Sequence, residues 1–327
     1  RGMQRLPGLP LHRRPRNRVT ARRPRPTPAS LQVNAGADHT MPNPYFLIFE
    51  LIVAGQFLLC AWHAARRGPA VVWRLLAGVL FGVLLELATI RQLNAYRYGV
   101  FTAMVLDVPL AIGVAWGCII YSAQLFSDAT NLPGWARPVL DGLLGLNIDL
   151  AMDAVAIRLG MWDWGMGLER QYFGVPWANF WAWFWVVTSF SAGLRLALRW
   201  RHPAAAWLAP LAAVVVGLAG VLGTNALIVF VVPRPFYEAA IAATLGLALV
   251  MVLRRRPRRA AAVDAPAAGV PLLSHVYFLA AGLASGAVFN PPILLAVSVL
   301  MFGVAAWLHR PAWLRLGRGR AQFTAGS

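Results

Sequence analysis

Long apolar runs, separated by short polar or Pro- and Gly-containing stretches, dominate the chain after residue 40. About 20 apolar residues are needed for an α-helix to cross a bilayer. Segments near this length occur at 45–65, 71–90, 103–125, 139–159, 177–198, 204–232, 236–253, 272–289 and 293–308. The last two are short and separated only by Asn290, Pro291 and Pro292, so they fit either two tilted spans or one broken, re-entrant element. The pattern predicts an all-α, polytopic transmembrane helical bundle with eight or nine spans.

Composition agrees with a membrane protein and divides the chain into three parts. Hydrophobic residues make up 59% and charged residues 13% of the sequence, and the mean hydropathy is +0.59. Residues 1–40 are rich in Arg and Pro, which predicts a disordered leader, or an untranslated one if the chain starts at Met41. Residues 41–310 form the predicted transmembrane domain, and residues 311–327 a basic cytoplasmic tail.

The arginines predict the orientation of the bundle. If nine spans alternate, one face receives sixteen arginines and the other, without the leader, receives five. The positive-inside rule then places the N-terminus outside and the C-terminus in the cytoplasm of a multi-pass cell-membrane protein. All basic residues are Arg and none is Lys, which is typical of a GC-rich genome. The net charge of +18 is therefore weak evidence for an anionic partner, and we expect no nucleic-acid binding.

With this orientation, the polar residues of different predicted helices share one depth. They fall in the non-cytoplasmic half of the bilayer and comprise Glu86, Asp107, Asp149, Asp153, Asn179, Asn225, Glu238 and Asn290. Carboxylates within a span cost about 2.5–3.5 kcal/mol each on insertion scales, so they are rare and mark functional sites. The shared depth predicts one buried polar site.

Asp149 and Asp153 are the strongest candidates for chemistry. Their i, i+4 spacing places both side chains on one helix face, one turn apart. Two carboxyl groups so near each other in a medium of low dielectric constant do not both ionise easily. We therefore expect a neutral acid beside a carboxylate. The structural alternative is that Arg158 neutralises the pair. For Glu86 the alternative is a pair with Arg91, and Asp107 could simply cap the third span.

Aromatic residues form a second candidate set around these carboxylates. Part of the set is explained by the Tyr and Trp belts at membrane interfaces. Gly160-x-Trp162-x-Trp164, followed by Tyr172-Phe-Gly-Val-Pro176, instead predicts a defined loop that folds over a site. Aromatic faces there could line an apolar substrate and stabilise a developing cation. The candidates for substrate binding are Tyr96, Tyr98, Asp107, Trp116, Trp162, Trp164, Tyr172, Asn179 and Trp183.

Other site chemistries find little support in the sequence. No Gly-rich phosphate loop, HExxH, CxxC or GxSxG motif is present. The six histidines are scattered, so a histidine-rich di-iron centre is not expected. Cys60 and Cys118 both lie in apolar segments and indicate no disulfide framework.

Between residues 80 and 185 the chain resembles the integral-membrane carotenoid biosynthesis family that contains carotenoid hydratases, such as the bisanhydrobacterioruberin and γ-carotene hydratases. The most specific resemblance is the block of Trp162 and Trp164, the 173–176 FGVP loop, and Asn179-Phe180 with Trp183. The preceding matches, in chain order, are Glu86, Tyr96-x-Tyr98, Val108-Pro109, Trp116, Tyr121, Asp149 and Asp153. The chain departs from the family pattern at Ala154, where proline is expected, and at Ala182, where glycine is expected.

The resemblance implies that water adds to a terminal C=C bond of an acyclic carotenoid end group, without cofactor or metal. The partners are then a long apolar polyene and the lipid bilayer. We expect the Asp149/Asp153 pair to supply the acid and the base, and Glu86 to tune the pair or hold the water. Tyr96, the two loop tryptophans and Trp183 would shape the pocket, and Asn179 would position water or a carboxylate.

Three other functions remain open from the sequence. A carotenoid cyclase would use the same protonation but quench the cation within the substrate. A membrane prenyltransferase could hold Mg²⁺ and diphosphate on Asp-x3-Asp, but such enzymes have Asn-x3-Asp-x3-Asp, and this chain has Gly145 in the Asn position. A non-enzymatic transporter or carotenoid-binding membrane protein could use the carboxylates as a proton relay, although the two halves show no inverted repeat.

Overall fold

The protein is a bundle of long α-helices in the computed structural model. The structure describes residues 43–93, 95–262 and 264–324, without the side chains of 92, 93 and 311–324. The predicted leader and Met41 lie outside the described residues. The helices are α1 Pro44–Arg67, α2 Pro69–Leu93, α3 Leu110–Asp128, α4 Arg137–Arg158, α5 Trp177–Ala197, α6 Ala205–Ala226, α7 Tyr237–Arg254, α8 Ala265–Ser285 and α9 Ile293–Thr324.

The predicted all-α polytopic bundle is confirmed. Seven helices of the described chain, all except α4 and α5, have both the length and the hydropathy to cross a membrane. The other two have 22 and 21 residues, which corresponds to about 30 Å and is also long enough. They are more polar or aromatic because most of their residues are buried among other helices rather than facing lipid.

Three predicted boundaries differ from the structure. The third helix begins at Leu110 and not at 103, because residues 104–109 form a tight hairpin in front of it. The eighth helix begins at Ala265 and not at 272, since Pro266 lies in its first turn and Pro271 is accommodated within it. It ends at Ser285, and α9 starts anew at Ile293, so the segment is two full helices rather than one re-entrant element. α9 continues to Thr324 and includes most of the predicted tail.

One end of the bundle is where α2 and α4 end and where α3 and α5 begin, and we name it the loop end. Two short antiparallel strand pairs lie there. Strand β1 (Arg97–Tyr98) pairs with β4 (Trp162–Asp163). Strand β2 (Met104–Val105) pairs with β3 (Val108–Pro109). The first pair joins the α2–α3 connection to the α4–α5 connection, so it fixes two distant parts of the chain over the same end of the bundle.

Helices α2 and α3 approach closely along a glycine seam. Gly78 and Gly82 on α2 face Gly113 and Gly117 on α3, and small residues at i, i+4 allow such close backbone packing in membranes. A Cβ on Gly82 would lie 2.6 Å from Cβ of Trp116 and 2.9 Å from the Gly113 carbonyl oxygen. The seam therefore sets the position of Trp116, which lies between the two glycines of α3.

We expect Gly82→Ala to lower the free energy of unfolding by about 1–2 kcal/mol, because the added methyl group forces the helices apart. The matched control is Gly246→Ala on α7, where a Cβ would meet no atom within 4 Å and alanine favours the helix. Thermal unfolding in detergent measures both. A Gly82→Ala midpoint equal to that of Gly246→Ala would contradict the proposed role of the seam.

Candidate functional site

One asparagine joins the two aspartates predicted to carry the chemistry. Asp149 and Asp153 lie on the same face of α4, and Asn179 lies in the first turn of α5. The Asn179 Nδ2 atom lies 3.2 and 3.0 Å from the two carboxyl oxygens of Asp149 and 2.7 Å from Oδ2 of Asp153. Asp149 is fully buried, and Asp153 is 2% exposed.

The amide group of Asn179 satisfies both carboxyl groups at once. Its nitrogen has two hydrogens, so one hydrogen serves Asp149 and the other serves Asp153. With Nδ2 turned toward the aspartates, the amide gives a hydrogen-bond donor to each of the two carboxyl groups. Asn179 therefore holds the pair in a fixed geometry without adding charge.

No described arginine or histidine lies within salt-bridge distance of Asp149, Asp153 or Glu86. Arg158, the structural alternative from the sequence, is instead bonded to backbone carbonyls. Its guanidinium donates to the carbonyl oxygens of Asn290 at 2.6 Å, Ala154 and Phe173 at 2.8 Å, and Leu168 at 3.1 Å. The aspartate pair is thus buried without a compensating cation among the described residues.

A third carboxyl group of α4, that of Asp141, is paired with an arginine and contrasts with the aspartate pair. Asp141 is fully buried, but its Oδ2 accepts a hydrogen bond from the Arg195 guanidinium at 3.1 Å and one from Ser191. Arg195 also binds Asp128. A buried carboxylate with an arginine is neutralised where it lies. The absence of such a partner within the described chain distinguishes the Asp149/Asp153 pair.

Glu86 is held by three neutral donors on the opposite side of the site. Tyr96 and Tyr98 donate their hydroxyl groups to Oε2, the latter at 2.8 Å, and the Trp116 indole N–H donates to Oε1 at 2.8 Å. The alternative pair with Arg91 does not form, because Arg91 binds Asp107. Indole is a donor only, so Glu86 is arranged as an acceptor of hydrogen bonds.

Strands β1 and β4 pair over the site, and Tyr96 precedes β1 while Trp164 follows β4. We name residues 96–98 and 162–164 together the aromatic ribbon. Side chains alternate between the faces of a strand, so Tyr96-x-Tyr98 and Trp162-x-Trp164 each place two aromatic rings on one face. The cross-strand partners are Tyr98 with Trp162 and Arg97 with Asp163. The ring centroids of Tyr96 and Trp164 lie 4.5 Å apart. The charged residues between them occupy the outer face.

These groups border a cavity in the bundle, next to the loop end. The space between its lining atoms amounts to about 690 Å³ when the open mouth is included. Asp153, Asn179 and Glu86 border it, and the Trp116 and Trp183 rings pack there at a centroid distance of 4.2 Å, with their planes tilted by 43°. Most of the remaining wall is apolar.

Nine of the twelve residues predicted for the site border this cavity: Glu86, Tyr96, Tyr98, Trp116, Asp153, Trp162, Trp164, Asn179 and Trp183. Asp149 is joined to them through Asn179. Asp107 and Tyr172 are not brought to the cavity. Asp107 lies in the hairpin before α3 and binds Arg91 with its side chain 59% exposed. Tyr172 donates to the Leu150 carbonyl on another face of α4 and packs against Trp177 and Phe180.

Two helices that the sequence analysis left out complete the wall. α1 contributes Gln56 and apolar residues, and α8 contributes Ser274 together with Tyr277 and Phe278. An amide in the middle of an apolar run was a usable signal for Gln56, because polar groups within a span are costly. The aromatic residues of α8 carried no such signal, since core packing explains them equally well.

The Arg158 bonds generate a prediction about the loop over the site. We expect Arg158→Met to speed amide hydrogen exchange in residues 160–176 by at least about tenfold, because two charge-assisted hydrogen bonds to the loop, at Leu168 and Phe173, are lost. Arg170→Met, at an exposed arginine of the same loop, is the matched control. Exchange in Arg158→Met as slow as in the control would show that the guanidinium does not hold the loop.

Comparison with known proteins places the chain in a family. Residues 43–253, which include α1 to α7, match the family described as "Carotenoid biosynthesis protein". Searches of curated proteins and of solved structures found no match. The match covers more than half of the chain and includes the Asp149/Asp153 pair, Asn179, Glu86 and the aromatic ribbon. The chain is a multi-pass membrane protein that belongs to the carotenoid biosynthesis protein family.

Proposed function

We propose that the protein is a carotenoid hydratase, which adds water to a terminal C=C bond of an acyclic carotenoid by carboxyl acid–base catalysis. Family membership supports a role in carotenoid biosynthesis. The observation that carries the proposal is the placement of Asp153 and Glu86 on one aromatic cavity, with no cation paired to either among the described residues. Acid and base chemistry on an apolar substrate needs that combination.

Asp153 is the proposed acid because it borders the cavity, whereas Asp149 lies behind Asn179. The π electrons of the terminal C=C bond take the Asp153 proton, and a C–H bond forms while Asp153 becomes a carboxylate. The positive charge then rests on the tertiary carbon. Asp149 acts as a positioning residue, since its hydrogen bond to Asn179 fixes the amide that also binds Asp153.

The aromatic rings stabilise the positive charge, and Glu86 directs the water. Trp116 and Trp183 border the cavity, and the π faces of such rings attract a cation. A water oxygen forms the C–O bond, and one water proton passes to Glu86. That proton returns across the cavity to Asp153, so each turnover consumes one alkene and one water and leaves both carboxyl groups as they began.

Removal of the acid tests the mechanism. We expect Asp153→Asn to lower hydration at least about 100-fold, because general acid catalysis contributes roughly 10²–10⁴. The matched control is Asp107→Asn, at an exposed carboxylate outside the cavity, which is expected to retain wild-type hydration. Both are compared in membranes at equal protein levels. Hydration by Asp153→Asn at the control rate would refute the assignment of the acid.

The reaction itself is tested by expression in a lycopene-accumulating host, followed by mass spectrometry of the pigments. A gain of one or two waters per molecule is the expected result. A product of unchanged mass with a shifted absorption spectrum would replace the hydratase with a cyclase, which shares the protonation step. Proton-dependent uptake into vesicles with every pigment unaltered would favour a transporter and would refute the proposed reaction.

A further inference from the structure

A second large cavity lies between α7 and the pair formed by α4 and α5. The space between its lining atoms amounts to about 890 Å³ when the open mouth is included. Its floor carries the buried side chains of Leu146, Phe180 and Ile241. No residue borders both this cavity and the one that contains Asp153. It is therefore a separate site, which we name the α7 groove.

Two small residues of α7 border the groove and are exposed there. Ala242 and Gly246 have the i, i+4 spacing that brings membrane helices into close contact. A Cβ on each of the four glycines in the α2–α3 seam would meet an atom of the facing helix at 3.1 Å or less. A Cβ on Gly246 would meet no atom within 4 Å. The small residues of α7 therefore leave a groove and do not form a helix seam.

The groove has the length of one lipid chain. It follows α7 from Glu238, in the first turn, to Leu249, which is a rise of about 16 Å. The hydrocarbon core of a bilayer is roughly 30 Å thick, so the groove spans one leaflet. It begins at the loop end, because Trp177, the first residue of α5, borders it together with Glu238. A polyene that crosses the whole bilayer would extend well beyond this groove.

Two charged residues without ion pairs mark the loop end of the groove. Glu238 borders it, is exposed and forms no salt bridge within the described chain. Arg234 lies four residues before it, at the start of the short 3-10 helix Arg234–Phe236, and is likewise exposed and unpaired among the described residues. Because the two are not paired with each other, each can bind the opposite charge of a ligand. The complementary head group is a zwitterion with an ammonium and a phosphate.

We propose that the α7 groove binds one phosphatidylethanolamine molecule, with an acyl chain along its apolar wall and the head group at Glu238 and Arg234. The ammonium donates hydrogen bonds to the Glu238 carboxylate, and Arg234 donates to the phosphate. The bound lipid bridges α7 to α4 and α5. This site goes beyond the proposed hydration and does not depend on it.

The test measures lipid retention by the full chain in native mass spectrometry, after endogenous lipid has been removed in detergent. The probes are phosphatidylethanolamine, phosphatidylcholine and phosphatidylglycerol with identical acyl chains, added as an equimolar mixture. One phosphatidylethanolamine per protein is expected to be retained about tenfold more tightly than either other lipid, which is the discrimination of one charge-assisted hydrogen bond. The trimethylated ammonium of phosphatidylcholine has no N–H to donate, and phosphatidylglycerol has no cation. Equal retention of all three overturns the inference.

Glu238→Gln tests the head group. We expect the preference over phosphatidylcholine to fall below about twofold, because a neutral amide makes no charge-assisted bond with the ammonium. The matched control is Glu169→Gln, at an exposed carboxylate outside the groove, which should retain the preference. A preference that survives Glu238→Gln contradicts the assignment of the head group.

Gly246→Phe tests the position of the chain, because the ring would fill the groove. Retention of phosphatidylethanolamine is expected to fall at least about tenfold as apolar contacts with the chain are lost. Gly303→Phe on α9 is the matched control, since a Cβ there also meets no atom within 4 Å and the residue does not border the groove. If Gly246→Phe does not elute as a single folded species, Ala242→Phe replaces it.

Two results would overturn the lipid site. One is equal retention by the groove variant and by Gly303→Phe. The other is a dimer of the unaltered protein that Gly246→Phe separates into monomers, because a second copy of the chain would then occupy the groove.

Discussion

The site depends on a single neutral amide that holds two carboxyl groups where no charge compensates them. Removing a carboxylate from water without a cation is costly, so its persistence requires close packing around the donors. Helices α4 and α5 supply that packing. A Cβ on Gly142 of α4 would lie 2.2 Å from Thr188 Oγ1 of α5, and one on Gly145 would meet Val187 at 2.9 Å. Only glycine lets Asn179 approach the two aspartates across this interface.

The other half of the site follows from the same kind of constraint. The α2–α3 glycine seam brings Trp116 to Glu86, one helical turn beyond Gly82. The aromatic ribbon then brings two tyrosine hydroxyl groups to the same carboxylate. Gly99 permits the ribbon to close, because a Cβ there would lie 2.7 Å from both the Gly160 carbonyl oxygen and the Phe46 ring. Glycines thus set the backbone distances, and the polar groups occupy the positions that result.

Local periodicity predicted the parts of the site that lie within one element. The i, i+4 spacing placed Asp149 and Asp153 on one face. The strand pairing that brings Tyr96-x-Tyr98 together with Trp162-x-Trp164 was not predicted. Contacts between distant segments do not follow from such rules. The pairing of Asp107 with Arg91 depends on a hairpin that the hydropathy pattern read as helix. The hydrogen bonds of Gln56 depend on Val270 and Ser274 of α8, a helix whose start was hidden by Pro266 and Pro271.

The family match and the cavity do not have the same boundaries along the chain. Every carboxyl group and aromatic ring assigned to the reaction lies within residues 43–253. The acceptors that orient Gln56, together with Tyr277 and Phe278, lie on α8, beyond the match. Protonation of an alkene requires the same groups whatever the rest of the molecule carries. The part of the cavity wall that α8 supplies therefore lies outside the segment that identifies the family.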